Sequence, residues 1–322
     1  MRATIIGTGS YLPKHIATNE YLSTLVDTTD DWITSRTGIQ SRHLVSETET
    51  TASMAYEAAK EALHDAKMEP TELELIIVAT CTADTLVPST ACEVAGHLGA
   101  IHATAFDLNA ACSGFVYALA TADAYFQSGM YKNALIIGVE TLSRIVDWED
   151  RSCCVLFADG AGAAVLRADV TGVMASSLGS DGDRHQAIYV KSRENNNPFC
   201  PGKNTTDYLS MDGAAVFKFA TKTVPKSIQD TLKAANLTTE NVDWFLLHQA
   251  NMRINQSIAK TLKVPFEKFP TNMDHCGNTS GASVPLLLDE VNKKGLLKSG
   301  DTIVMAGFGA GLTWGTAVLT WA

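Results

Sequence analysis

No stretch of the chain is apolar for long enough to cross a membrane; even the run after Cys112 carries Thr, Asp and Gln. An excess of basic residues is missing too. The formal net charge is -10, from 25 Lys and Arg against 35 Asp and Glu, which argues against a nucleic-acid binder while leaving room for a local basic patch. The opening Met1-Arg-Ala-Thr-Ile-Ile-Gly7 lacks a signal-peptide layout. The seven cysteines lack metal-ligand spacing and, with no export signal, read as reduced thiols in a cytoplasmic protein. Gly7-Thr-Gly9, at the end of a short predicted strand around Ile5-Ile6, lacks the third glycine and the acidic residue of a dinucleotide fingerprint.

The 322 residues, 46% hydrophobic and 19% charged, are enough for one large domain or two ordinary ones with a substantial core. The organising stretch is Asn109-Ala-Ala-Cys112-Ser-Gly-Phe115. The extended run Thr104–Leu108 enters it, and a run to Phe126 that is apolar nearly all round leaves it, so Cys112 stands where a strand ends and a buried helix begins. Unpaired N–H groups and the helix dipole there favour a thiolate, with a pKa drawn down to roughly 3.5–7.5. The alternative is a small core cysteine.

Along the chain, helical pieces are predicted between Asn19 and Ser35, with Trp32 and Arg36 near the end of that segment. Thr50-Thr-Ala-Ser53 caps a helix through Leu63, and strands are predicted at Leu73–Thr80, Ala134–Val139 and Gly160–Leu166. The second half repeats this plan. The stretch from Met68 to Ile77 aligns with Leu237 to Leu246, Ser113-Gly114 with Ser280-Gly281, Asn133–Gly138 with Asp301–Ala306, and Ala164-Val-Leu166 with Ala317-Val-Leu319. Four matches in one order indicate a duplicated βαβ-type unit. An α/β fold of two pseudo-symmetric halves, 1–170 carrying the cysteine and 171–322 carrying His248 and Asn278, is expected to have mostly parallel, helix-covered sheets. A pseudo-twofold would set the turns at Cys112 and Ser280 side by side.

Three further stretches can then reach Cys112. His248 ends the apolar strand Leu246-Leu-His248, Asn278 lies in the repeat-related turn, and Met305–Gly315 runs into a glycine-rich loop able to offer backbone N–H groups to an oxyanion. Each has a plainer explanation: a hydrogen-bonded structural histidine, a turn-shaping asparagine, a tight corner. Strand ends in open α/β sheets share one crevice, and that favours a common site. His275 and Cys276 receive no role.

Ala-Ala-Cys112-Ser-Gly-Phe, His248-Gln-Ala-Asn-Met-Arg-Ile254, Gly277-Asn278-Thr-Ser and Gly307-Phe-Gly-Ala-Gly-Leu-Thr-Trp-Gly315 together resemble β-ketoacyl-acyl carrier protein synthase III. The likeness extends from Gly7-Thr-Gly-Ser-Tyr-Leu-Pro13 through Arg36-Thr-Gly-Ile39 and Phe157-Ala-Asp-Gly-Ala-Gly162 to the C-terminus. It implies a thiolase-like αβαβα fold and a decarboxylative condensation: Cys112 takes an acyl group from acyl-CoA, usually acetyl-CoA, and malonyl-acyl carrier protein then loses CO2 and attacks the acyl-enzyme. Cys112 is the implied nucleophile, the Cys112 and Ala310 N–H groups the oxyanion donors, and His248 and Asn278 the donors to the malonyl thioester. No metal or redox cofactor is implied.

The resemblance further implies a CoA site with Trp32 and Arg151 on the two faces of the adenine, Thr28 and Arg36 nearby, and Asn251 on the pantetheine arm; Ala214 stands where relatives can carry a polar residue. Carrier-protein docking is expected at Gln249 and Arg253, the latter's family counterpart lying in the docking patch, with Lys260 seven residues on along the same helix face and Lys218 and Lys222 spaced i, i+4 on another helix, which Pro225 is expected to end or kink. The primer pocket is implied at Val87, Leu142 and Phe157, Val87 reaching it from the partner of a homodimer, where a small side chain would leave room for a longer or branched primer. Cys, His, Asn in that order also describes a papain-like hydrolase, which lacks the internal repeat and belongs in a secreted, disulfide-bearing context. A sister condensing enzyme using another acyl-CoA for a secondary metabolite is the nearer alternative.

Overall fold

Two large sheets form, one from each half of the chain, beside two small two-stranded ones. The computed structural model describes residues 1–192, 194–202 and 207–322. In the first sheet the strands lie in the order Arg2–Tyr11, Asp159–Asp169, Asn133–Thr141, Leu75–Ala79, Thr104–Leu108. In the second the corresponding order is Val173–Ser180, Thr313–Thr320, Thr302–Gly309, Trp244–Leu247, with no counterpart of Thr104–Leu108 among the described residues. The repeat seen in the sequence is therefore a repeat of sheet topology.

The sheets are mixed, which corrects the mostly parallel expectation. Leu75–Ala79 runs parallel to both of its neighbours and Trp244–Leu247 parallel to Thr302–Gly309, but every other pairing within these two sheets is antiparallel. The strand ending at Gly309 returns at Thr313, too short a connection for a crossover helix, so the next strand must run back. The longer excursion between Thr141 and Asp159 folds into a satellite core with Leu142, Val146 and Cys153.

Helices complete five layers. Thr51–Ala66 and Thr90–Leu98 cover the outer face of the first sheet, and Gly213–Ala234 and Met252–Leu262 that of the second. Between the sheets lie Gly114–Ser128 and Ser283–Lys293, where Phe115, Leu119, Leu287 and Leu288 share one core with Ile77 and Met305. The expectation for a helix apolar on nearly every face is met: it is covered by sheet on both sides. None of the described helices is long and apolar enough to cross a membrane.

Local sequence accounts for several boundaries. The Thr50 hydroxyl accepts from Ser53 N at 3.1 Å and the Ser53 hydroxyl from Thr50 N at 2.8 Å, a reciprocal cap that starts the helix Thr51–Ala66. The opening strand is longer than predicted. It passes through Gly7 and Gly9, where a Cβ would stand 2.5 Å from Ala66 N and 2.3 Å from Ala58 O, so these glycines let helix and strand touch instead of ending the strand. Pro225 does not end its helix, which continues to Ala234.

The two central turns correspond with a shift of two residues from the sequence alignment. Asn109 accepts a bond from Ala111 N at 3.3 Å and Asn278 one from Ser280 N at 2.9 Å. Ala111 and Ser280 both have positive φ, 46° and 48°, and each begins a single 3-10 turn before its central helix. Asn278 is thus the mate of Asn109, and Ser280 of Ala111. The turns touch, as expected: a Cβ on Gly281 would lie 3.1 Å from Ala111 O.

Candidate active site

Strand ends from both sheets open onto one cavity of about 620 Å³. Its lining is mostly apolar, with Leu142, Phe157, Ile188 and Leu209, and it is broken by Cys112, His248 and Asn278. Cys112 lies in the 3-10 turn Ala111–Ser113, immediately before the helix Gly114–Ser128. The glycine loop presses against it. A Cβ on Gly309 would be 2.7 Å from Cys112 Cβ and 2.8 Å from its sulfur, and one on Gly307 would be 2.8 Å from Ser113 Cα. Only glycine allows that approach. The N–H groups of Cys112 and Ala310 are both directed at the sulfur and lower its pKa.

Those donors do not win. Cys112 opens onto the cavity, but protein surrounds it elsewhere, and burial pushes its thiol up to about 11, with the nearby Glu140 carboxylate adding to the rise and the Ser280 hydroxyl opposing it. The expected thiolate is therefore corrected. Two N–H groups and a helix terminus offset less than the desolvation of a buried anion costs.

His248 follows the strand Trp244–Leu247, its N–H bonded to Ala306 O at 2.8 Å. The ring stands edge-on to Phe308, with centroids 5.1 Å apart, and Nδ1 meets Ser283 Oγ at 2.6 Å. Burial lowers the pKa of His248 to about 3, so the imidazole is neutral. Gln249 N donates to the same Ser283 oxygen at 3.3 Å. With the hydroxyl proton given to Nδ1, Nε2 carries the remaining ring proton and is a donor. Asn278 is held by main-chain bonds, its N–H to Leu156 O and its carbonyl from Ala158 N, both 2.9 Å. Since its Oδ1 accepts from Ser280 N, its NH2 group is the part free to donate.

The residues assigned to CoA gather around Trp32, on the short helix Asp30–Thr37. The guanidinium carbons of Arg36 and Arg151 lie 4.8 and 5.0 Å from the Trp32 ring centroid, and Arg151 donates to Asp27 O at 2.7 Å. The Thr28 hydroxyl is buried without a partner among the described residues. Asn251 lines the cavity, but both ends of its amide are engaged, one with Arg36 O at 3.1 Å and the other with Arg253 N at 2.9 Å as a helix cap. It ties the Trp32 helix to the cavity wall.

Arg253 and Lys260 are exposed on the helix Met252–Leu262, and Lys218 and Lys222 on the helix Gly213–Ala234, whose first turn reaches the cavity through Gly213 and Val216. Ala214 is exposed beside them. Gln249 is excluded from a docking surface: it is wholly buried, donating to Leu247 O at 2.7 Å and accepting from Asn272 N at 3.3 Å. An amide at a strand end inside the core satisfies neighbouring backbone groups. Leu142 and Phe157 line the cavity; Val87 is 83% exposed and lies outside this chain's own cavity.

Two features escaped sequence reading. Buried Glu140 and Ser280 form a hydrogen-bonded group with the exposed Cys81 beside Cys112. The signal was an acidic residue directly after the apolar run Ala134–Val139, at a strand end like His248. Second, ligand atoms of His275, Cys276 and Glu290 lie within 4.8 Å of one another despite unremarked spacing. Cys276 and then Glu290 raise the pKa of His275, and Glu290 is also bonded to Lys294 and Asn272.

A five-layer fold of two like halves, with cysteine and asparagine carried to one cavity by related turns and histidine by a strand end, defines a thiolase-fold condensing enzyme. Within that class the chain belongs to the 3-oxoacyl-(acyl-carrier-protein) synthase III family, whose acyltransferases carry out such condensations. Residues 106–182 match the model of that synthase and residues 232–321 the model of its C-terminal part. The chain is 48% identical to the β-ketoacyl-(acyl-carrier-protein) synthase III of Clostridium acetobutylicum, over 98% of each chain. Among solved structures it is similar to the 3-oxoacyl-(acyl-carrier-protein) synthase III of Aquifex aeolicus, 44% identical with TM-score 0.92 over 99% of this chain and 100% of the other. It is also similar to the priming β-ketosynthase of the R1128 polyketide pathway, at 35% identity and TM-score 0.93 over 99% and 96%.

Proposed function

We propose that the protein condenses an acyl-CoA, acetyl-CoA foremost, with malonyl-acyl carrier protein, giving 3-oxoacyl-acyl carrier protein, CoA and CO2 and starting fatty acid synthesis. The supporting observation is the convergence of Cys112, His248 and Asn278 on one apolar cavity, with the Ala310 N–H beside the sulfur. Cys112 attacks the acyl thioester, and the N–H groups of Cys112 and Ala310 receive the oxyanion. Neutral His248, through Nε2–H, and Asn278, through its NH2 group, bind the malonyl thioester carbonyl. When CO2 leaves, the charge passes to that carbonyl as an enolate, and its carbon attacks the acyl-enzyme. The thioester itself stabilises the carbanion, so the scheme calls for no metal or redox cofactor.

Trp32 and Arg151 receive the adenine; Arg151 already lies on the ring, so it must lift for a base to enter between them. Thr28 offers a buried unpartnered hydroxyl at the same place. Asn251 acts there chiefly by joining the Trp32 helix to the cavity. Arg253, with Lys260, Lys218 and Lys222, forms the docking face for the acidic carrier protein. Exposed Leu86, Val87 and Ile101 suit a homodimer in which Val87 of a second copy closes the primer pocket. The free cysteines suit a reducing cytoplasm.

Incubation with acetyl-CoA followed by intact-mass measurement tests the reading. An acetyl adduct that is absent in Cys112→Ser, and that malonyl-acyl carrier protein discharges into a C–C bonded product, is expected. Hydrolysis without such a product would point to a hydrolase. Comparing primers from acetyl to octanoyl separates a fatty-acid starter from a polyketide-type relative.

A further inference from the structure

His275 and Cys276 end the short helix Met273–Cys276, and Glu290 lies on the last turn of the central helix Ser283–Lys293. None of the three is among the described residues that line the cavity of Cys112. One ligand atom from each, a ring nitrogen, the sulfur and a carboxylate oxygen, lies within 4.8 Å of the other two. His275 Nε2 faces Glu290 Oε2 at 3.3 Å. Two ligands on a tetrahedral zinc ion, each about 2.0–2.2 Å from it, stand roughly 3.4 Å apart, so this pair already has the required spacing. Cys276 is 3% exposed and closes the group on the protein side, while the His275 side chain is 45% exposed and opens it to solvent.

The neighbouring groups are those that support metal ligands. Asp274 Oδ1 meets the other ring nitrogen, Nδ1, at 3.0 Å, which fixes the ring and leaves Nε2 to ligate. Asn272 Nδ2 donates to Glu290 Oε2 at 3.0 Å and Lys294 Nζ to Oε1 at 2.5 Å, so the carboxylate is oriented with Oε2 towards the histidine. Charge is matched as well. With Cys276 ionised, the thiolate and the Asp274 and Glu290 carboxylates exceed Lys294 by two negative charges, which a divalent cation neutralises. Without an ion, protons on His275 and Cys276 balance the same groups, and they pass to solvent when an ion binds.

We propose that His275 Nε2, Cys276 Sγ and Glu290 Oε2 form a zinc site, with water in the fourth position. The mixed nitrogen, sulfur and oxygen set suits Zn²⁺, whereas Mg²⁺ and Ca²⁺ take oxygen ligands. The ion joins two segments next to the reaction site. Cys276 stands two residues before Asn278, and the helix of Glu290 begins at Ser283, which is bonded to His248 Nδ1. Zinc is thus a structural clamp between the Asn278 turn and the central helix. It takes no part in the condensing scheme, and the site stands independently of that reading.

Cobalt titration of the reduced, chelator-stripped full-length protein tests the site, because cobalt replaces zinc and a thiolate ligand gives it a near-ultraviolet charge-transfer band. One such band, saturating at one ion per chain and lost on adding zinc, is expected. It should be absent in Cys276→Ser and unchanged in Cys112→Ser. Asp274→Asn, which keeps all three ligands, should weaken binding about 10–100-fold. Zinc should raise the thermal midpoint of the wild type and leave that of Cys276→Ser unmoved. No saturable band, a band that survives Cys276→Ser, or one that Cys112→Ser removes would overturn the proposal. So would wild-type affinity in Asp274→Asn. If Cys276→Ser does not fold, Asp274→Asn, changed at a half-exposed side chain, decides alone. The titration contains no substrate, so its failure would leave acylation of Cys112 to be judged separately by intact mass.

Discussion

Cys112 rests as a thiol whose neighbours are arranged for a charge it does not yet carry. Because burial holds its pKa at about 11, the thiolate fraction should grow with pH throughout the neutral and mildly alkaline range. Alkylation of Cys112 by iodoacetamide, followed by peptide mass mapping, should keep accelerating beyond about pH 9. A plateau near neutrality would restore the dipole-stabilised thiolate. In the proposed mechanism His248 and Asn278 serve the other half of the reaction, the neutral imidazole bonded to Ser283 and the side-chain amide oriented by the Ser280 N–H. His248→Ala and Asn278→Ala should each retain acylation and lose about 2.7–4 kcal/mol of barrier stabilisation in condensation. The two half-reactions, measured separately, distinguish this from a histidine base, whose loss would impair both.

At the scale of elements, the glycines leading into the turn between Thr302–Gly309 and Thr313–Thr320 leave no room for a side chain beside Cys112. A Cβ at Gly309 would overlap the Cys112 side chain, so Gly309→Ala has to move the loop, the cysteine or both. Acylation should be lost, with a fall in stability of about 1–3 kcal/mol from overpacking. Thermal unfolding and intact mass read the two effects, and an active, fully stable variant would show that the loop does not support the sulfur as described. The helix cap at Thr50 and Ser53 was readable because capping is local: the partners stand three residues apart. The length of the opening strand was not, because Gly7 and Gly9 are explained by a helix some fifty residues further along the chain.

For the whole molecule, a net charge of -10 opposes an acidic carrier protein, so the proposed docking relies on a local field at the cavity mouth. Arg253 is exposed and donates to Ser35 O at 3.0 Å, which places it between the proposed docking face and the Trp32 helix. Arg253→Glu should raise KM for malonyl-acyl carrier protein, more at low salt, while acylation by acetyl-CoA stays near normal. Steady-state kinetics at two salt concentrations check this. Equal losses in both half-reactions would mean that the bond to Ser35 supports the CoA site, and docking would belong elsewhere.

Local pattern in the sequence was enough for the duplicated unit, the buried central helix, the strand ends bearing Cys112, His248 and Asn278, and the glycine loop beside them, because apolar periodicity and turn chemistry act over a few residues. The pairing sense of the strands, the two-residue correspondence of the turns and the burial of Gln249 depended on which surfaces met. So did the protonation of Cys112. Its sequence context predicts a helix terminus that favours the anion, but the opposing cost comes from the cavity wall and from Glu140 and Ser280, groups distant along the chain. Desolvation is set by everything packed around an atom, and only the tertiary structure brings those neighbours together.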